Sequence, residues 1–323
     1  MFDPLFLLLI ALVIDWYLGE PEFLWSRLPH PVVFFGKVVS YLDKALNHKE
    51  HTPQQQYRNG SLAFGLMMVV ALFVGLGLAH LVDRLGIFGF ILEVFVVFVL
   101  LAQNSLAKHV IAVADGLDNE GLKGGQTAVG MIVGRDPELL DKPGVCRAAI
   151  ESLAENFSDG VVAPAFWYLV FGLPGIIIYK MINTADSMIG YRNEKYLWFG
   201  RTAAQVDDLA NWIPARISSL FIACGAGLLR GGKAFKHAML VALRDSALHR
   251  SPNAGWPEAA MAGGANIALG GPRIYQNEIV QQAYLNGAGK RLLNASDIRE
   301  TVDIFSMACF TIWVIIGVLA VIF

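Results

Sequence analysis

The sequence predicts an all-α, polytopic membrane protein, on three observations: an apolar composition, hydrophobic runs of bilayer-crossing length, and charge confined to the segments between them. Of 323 residues, 55% are hydrophobic and 16% charged, against about 25% charged in an ordinary soluble domain. Much of the surface must then face something other than water, and a bilayer is the simplest such solvent. Residues 1–323 read as a single integral-membrane domain, better counted in spans than in cores. A net charge of −2 and an isoelectric point near 6.4 lack the strongly basic face that nucleic acid requires, so no nucleic-acid partner is expected.

Four spans are clear. The run 2–18 has the length of a signal peptide but neither a basic leading region nor a small-residue cleavage site, and reads as a retained span. The runs 62–82 and 87–106 are each about 20 residues, enough to cross about 30 Å of hydrocarbon. Asp83, Arg84, Leu85 and Gly86 alone separate them, which predicts a helical hairpin. A fourth span covers 304–323. Two further runs are interrupted, 161–182 by Pro164, Gly172, Pro174 and Gly175 and 213–229 by Pro214. Broken helices at membrane depth sit inside protein or line a cavity, so these two read as broken or re-entrant.

The polar segments 19–61, 107–160, 183–212 and 230–303 are predicted to be helical in part and to carry the chemistry. Arg27, Lys37, Lys44, Lys49 and Arg58 in the first, and Lys108, Lys123, Arg135, Lys142 and Arg147 in the second, place both in the cytoplasm by the positive-inside rule. The later two segments are basic as well. All four fall on one side if the interrupted runs dip and return. Glu93 lies inside a span, where a lone charge costs about 2.5–3.5 kcal/mol; a hydrogen-bonded or protonated glutamate against a neighbouring helix is the simpler reading beside a functional one.

From Gly134 the chain reads GRDPELLDKPGVCRAAIESLAENFSDG. Asp136 before Pro137 is a helix-start signal, and Lys142 with Pro143 restarts the chain. At about 100° per residue, Arg147, Glu151, Glu155 and Asp159 fall on one helical stripe and Ile150, Leu153, Ala154 and Phe157 on the opposite one. Two readings of the acidic stripe stand: a solvated face, or hard oxygen ligands near Asn156 suited to Mg²⁺, which takes one or two carboxylates with substrate phosphates.

YKMINTADSMIGYRNEKY, from Tyr179, places Lys180, Asn183, Thr184, Ser187 and Tyr191 on one helical side with Asp186 close by. It is either a binding site or an interfacial helix end whose Tyr and Lys reach the headgroups. VDDLANWIPAR then sets Asp207 and Asn211 on a common face. In RDSALHRSPNAGWPEAAMAGG, Pro257 with Glu258 looks like the first turn of a helix whose amides offer a phosphate cradle. His249 alone reads as an exposed histidine; beside Arg250, Ser251 and Asn253 it reads as part of a site. His30 stands between prolines in LPHPVVFFGK, and Asp15 closes the first span.

Several patterns fail. GLLRGGKA ends in Ala234 where a P-loop needs Ser or Thr, and follows an apolar run rather than a strand. His48 and His51 lack a ligand set. Cys146, Cys224 and Cys309 share no short spacing and read as packing residues. No GxSxG or HExxH occurs.

As a set, DWYLGEP, LPHPVVFFGK, GRDPELL, RAAIESLAENFSDGVVAPAFWY, YKMINTADSMIGYRN, DDLANWIPAR and HRSPNAGWPEAAMAG resemble, in order and over nearly the whole chain, the cobinamide-phosphate synthase family of cobalamin biosynthesis. The resemblance implies a bacterial inner-membrane ligase that joins a propionate carboxylate of adenosylcobyric acid to the amine of 1-aminopropan-2-ol or its O-phosphate. The family is ATP-dependent, so ATP and Mg²⁺ are the implied cofactors, a corrinoid is the substrate, and other late cobalamin-pathway enzymes are candidate partners at the membrane.

Under that resemblance Glu151, Glu155 and Asp159 are candidate catalytic and Mg²⁺-holding residues, with Asp186 and Asp207 as further ligands. Arg135, Arg147, Lys180, Arg192 and Arg250 are candidates for phosphates. His249 or one carboxylate is the candidate base. Asn156, Asn183, Ser187, Tyr191, Asn211, Ser251, Asn253, Trp256 and His30 complete the expected substrate site. The acidic helix and its polar neighbours are expected to converge at the bilayer edge. Two rivals remain: a corrinoid or other small-molecule transporter, whose ionisable residues belong within its spans, and a membrane regulator of the same superfamily.

Overall fold

A computed structural model describes residues 3–19, 25, 30–134, 136–275, 278–280 and 282–323, with the side chains of 273–275 and 278–280 excepted. In chain order its helices are α1 Pro4–Leu18, α2 Pro31–Leu46, α3 Pro53–Arg84, α4 Ile87–Val99, α5 Gln103–Asn119, α6 Gly121–Val129, α7 Lys142–Phe157, α8 Ala163–Ile189, α9 Arg201–Ala210, α10 Trp212–Arg230, α11 Gly232–Asp245, α12 Gly255–Ala265 and α13 Ala295–Ile322. Between the last two lie the strands β1 Leu269–Gly270, β2 Arg273–Tyr275, β3 Glu278–Val280 and β4 Tyr284–Leu285, paired antiparallel as β1 with β4 and β2 with β3. The all-α expectation holds, with these two small ribbons added.

Helix starts follow the sequence signals. Pro4, Pro31 and Pro53 each stand in a first turn behind the caps Asp3, His30 and Thr52, and Thr52 with Gln55 forms a reciprocal capping box. Proline lacks the N–H that would be orphaned there. Asp136 before Pro137 nucleates only the short turn Pro137–Leu139, and Asp141 caps α7 by accepting from the Gly144 N–H at 2.8 Å.

Among the described residues, five helical stretches are long and apolar enough to cross a membrane: Pro53–Arg84, Ile87–Asn119, Lys142–Ile189, Trp212–Arg230 and Ala295–Ile322. Their outer faces confirm the solvent. Phe73 on α3 and Phe88 on α4 are about 70% exposed, with Val314 and Val318 on α13 exposed as well, apolar surface that a water-soluble monomer does not leave contiguous. The 15 residues of α1 cover only about 22 Å at 1.5 Å each.

One of the two interrupted runs is corrected. Pro214 falls in the first turn of α10, which continues unbroken to Arg230, so 213–229 lies within one uninterrupted helix, Trp212–Arg230, of about 28 Å rather than a dip and return. The other is broken as predicted. Gly172 leaves helical geometry (φ 63°, ψ −150°) just before Pro174, and a π turn over Ser158–Val162 joins α7 to α8.

The chain packs as two units, 1–102 with 163–211 and 319–323, and 103–162 with 212–318. In the first, α3 meets α8 where Gly75 lets the Pro174 backbone approach, a methyl at Gly75 falling 2.6 Å from Pro174 Cα. Tyr168 on α8 donates to Glu93 on α4 at 3.0 Å, which supplies the partner the sequence left unseen. Ser61 and Thr202 hydroxyls pair at 2.7 Å between α3 and α9. In the second unit, α5 and α6 close at Gly116 and Gly124, α10 crosses α13 where Gly225 faces the Ile304 carbonyl, and Phe157 stacks edge-on to Phe305 at 5.4 Å.

Candidate functional site

In the first unit, the end of α8 and the end of α9 form a polar cluster. Tyr179, Asn183 and Asp186 recur at helical spacing, and Asp207 with Asn211 stand four apart. The Asn211 amide donates to Asp207 Oδ2 at 3.0 Å while its oxygen accepts from the Tyr179 hydroxyl at 2.9 Å. Asn183 adds a hydrogen bond to the same carboxylate. Asp207 is nonetheless buried, and its Oδ1 has no hydrogen-bond partner among the described residues.

Burial, then the neighbouring Asp186 charge, raise the Asp207 carboxyl to about 7, against the lowering effect of the Asn211 and Asn183 bonds. Asp208 is raised too, by burial, with Arg192 pulling it back. A carboxylate raised as Asp207 is holds a proton near neutrality or accepts a cation in its stead. Asp208 also lines a cavity of about 360 Å³ with Tyr191, Arg192, Tyr196, Trp198 and Arg201. Gly190 is required beside the cluster, because a methyl there would overlap the Asp186 carboxylate.

The contact face of α8 is therefore rotated from the predicted one. Thr184 spends its hydroxyl on the Lys180 carbonyl at 2.7 Å, and Ser187, Tyr191 and Arg192 are exposed. Lys180 is buried. His30 caps α2, its Nδ1 accepting from Val32, and packs edge-on to Trp25 at 4.6 Å.

In the second unit, the predicted acidic stripe is divided. Helix α7 is buried nearly all round, and Glu151 is only 6% exposed, its Oε1 accepting from the Gly270 N–H at 2.8 Å. Glu155 is exposed. Asp159 lies in the π turn, whose extra residue shifts the register on which the 100° spacing relied. Asn156 donates to Ser152. Arg147 and Arg291 both lie over the Tyr284 ring, at 5.6 and 4.6 Å from its centre, and with Asp136, Asp141 and Gly270 they line a cavity of about 560 Å³.

His249 Nδ1 lies 3.0 Å from the Ser251 amide nitrogen and 3.3 Å from the Ser251 carbonyl, and its Nε2 lies 3.6 Å from Glu258 Oε1. Ser251 Oγ accepts from the Asn253 and Ala254 amides at 3.2 and 3.1 Å just ahead of α12, whose N-cap Ala254 has no side-chain cap. Asn253 and Glu258 are buried and Arg250 exposed. Trp256 and Trp212 sandwich the Arg216 guanidinium at 4.8 and 4.1 Å. Asp245, held low by Arg244, also accepts from the Asn286 N–H at 2.7 Å.

Arg135 lies outside the described residues. Among those described, no three His, Cys, Asp or Glu side chains gather to cage a metal ion. Asp208, Arg201, Tyr284, Arg291, Glu258 and Arg216 are site neighbours the sequence reading did not select. The sequence had marked two of them as neighbours of Asp207 and Asn211: Asp208 and Arg216 lie within DDLANWIPAR. Nothing local marked Tyr284 or Arg291.

The spans and the two polar clusters define a polytopic helical membrane protein whose charged residues concentrate at helix ends and in the connecting segments. Residues 8–305 match the family model described as CobD/Cbib protein. The chain belongs to that family, one of cobalamin biosynthesis. It is 56% identical over 307 residues to the Cobalamin biosynthesis protein CobD of Rhizobium meliloti (strain 1021), covering 95% of this chain and 94% of the relative. The protein of the same name from Brucella suis biovar 1 (strain 1330) is 50% identical over 93% of this chain and 92% of its own. That of Rhodobacter capsulatus is 42% identical over 98% and 97%. No solved structure matches.

Proposed function

We propose that the chain forms an amide between a propionate carboxylate of adenosylcobyric acid and the amine of 1-aminopropan-2-ol or its O-phosphate, the reaction of an adenosylcobinamide-phosphate synthase. The observation that carries this reading is Asp207, a buried carboxylate whose Oδ1 has no hydrogen-bond partner among the described residues and whose pKa lies at about 7. An ammonium must lose a proton before its nitrogen attacks, and a base is most effective when its pKa lies near the working pH. Asp207 Oδ1 receives that proton, Asn211 and Asn183 fix the carboxylate, and Asp186 and Asp208 supply the negative field that draws the ammonium in. Arg192 and Arg201, on the cavity that Asp208 lines, offer cationic partners to a phosphate on the same small molecule.

ATP with Mg²⁺, when bound, supplies the activation a carboxylate needs, turning its oxygen into a phosphate leaving group. The reading places the enzyme in the bacterial inner membrane, beside other late enzymes of the pathway.

Purified protein given adenosylcobyric acid, either amine, Mg²⁺ and ATP is expected to yield amide product detectable by mass. Asp207→Asn is expected to abolish it while the protein stays folded in the membrane. Product at the parent rate from this variant removes Asp207 from the mechanism. Corrinoid uptake into proteoliposomes without conversion turns the reading to transport.

A further inference from the structure

We propose that the 560 Å³ cavity of the second unit is a binding site for a phosphate ester, gripped by Arg147 and Arg291. Both guanidinium groups meet the ring of Tyr284, at 5.6 and 4.6 Å from its centre, and both line the cavity. Two cations drawn to one ring repel each other, and an anion between them relieves that repulsion. Arg147 Nη2 donates to the Arg291 carbonyl at 3.3 Å, while its Nε is buried with no acceptor among the described residues. A planar, permanently charged donor left in that state is suited to phosphate oxygens.

The surrounding wall is built to hold this arrangement. Gly271 has φ 82°, and a methyl there would overlap the Tyr284 ring. Gly270, at φ 71°, is anchored by its N–H to Glu151. The two acids on the rim already have work: Asp136 accepts from the Glu138 amide at 2.9 Å and Asp141 from the Gly144 amide at 2.8 Å. The volume suits a small molecule.

Two sources supply the ester: a nucleotide, or an amino-alcohol phosphate if that molecule does not seat at Arg192 and Arg201 as proposed above. That short list rests on the amide-forming reading; the site itself does not. The test is calorimetric titration of the full chain in detergent with a non-hydrolysable ATP analogue plus Mg²⁺, and separately with 1-aminopropan-2-ol O-phosphate. The parent is expected to bind one of them, with Arg291→Gln and Arg147→Gln each weakening that ligand at least tenfold and the Arg291→Gln protein melting as the parent does. The ligand affected names the source. Failure of both esters to bind the parent, or parent-like binding by both variants, overturns the proposal. Binding without any amide product would instead leave this site standing and remove the synthase reading.

Discussion

Asp207→Asn tests the electrostatic argument apart from any assay of product. The carboxyl moves from an ordinary 3.8 to about 7 in the folded chain. At about 1.4 kcal/mol per pH unit, its ionised form opposes folding by roughly 4 kcal/mol, a cost shared with Asp186. The folded state keeps the proton up to about pH 7, whereas the unfolded chain releases it above about 4. The unfolded state thus binds fewer protons in that window, and stability falls as pH rises through it, then levels off. In the Asp207→Asn variant nothing ionises at this position. Thermal unfolding in detergent from pH 4 to pH 8 is therefore expected to show a decline for the parent and a flatter curve for the variant, which becomes the more stable of the two near and above pH 7. Amide yield is expected to drop by a factor of about 10²–10⁴, the usual contribution of a positioned base. Parallel stability curves would refute the claim that Asp207 is buried at the expense of its charge.

Gly190→Ala drives a methyl into the Asp186 carboxylate; product formation is expected to fall at least tenfold with the protein still inserted, read from initial rates at matched protein amounts. Glu151→Ala leaves the buried Gly270 N–H without its acceptor and is expected to lose about 1–3 kcal/mol, whereas Glu151→Gln keeps an oxygen there and recovers most of it. The pair is compared by melting temperature, and equal melting of both variants would remove the hydrogen bond from the account. Tyr168→Phe withdraws the donor from Glu93 inside the first unit and is expected to destabilise by about 1–3 kcal/mol, measured as the same shift in unfolding.

The chain's own order of residues determined that this is a helical membrane protein, because a bilayer forces every backbone group in a span to be satisfied within the span and length and hydropathy then mark the crossings. It also determined the restart of the chain at Lys142 and Pro143, the break near Gly172, and the Asp207–Asn211 pair, all governed by neighbours within about one turn. Tertiary structure decided the rest. Pro214 proved harmless because it occupies a first turn, and the acidic stripe of α7 was divided by burial on nearly every side and by a π turn that no periodicity count registers. Tyr179 joins Asn211 across 32 positions, and Arg147 meets Arg291 across 144. Contacts at such separations depend on how helices pack, and no local spacing encodes them.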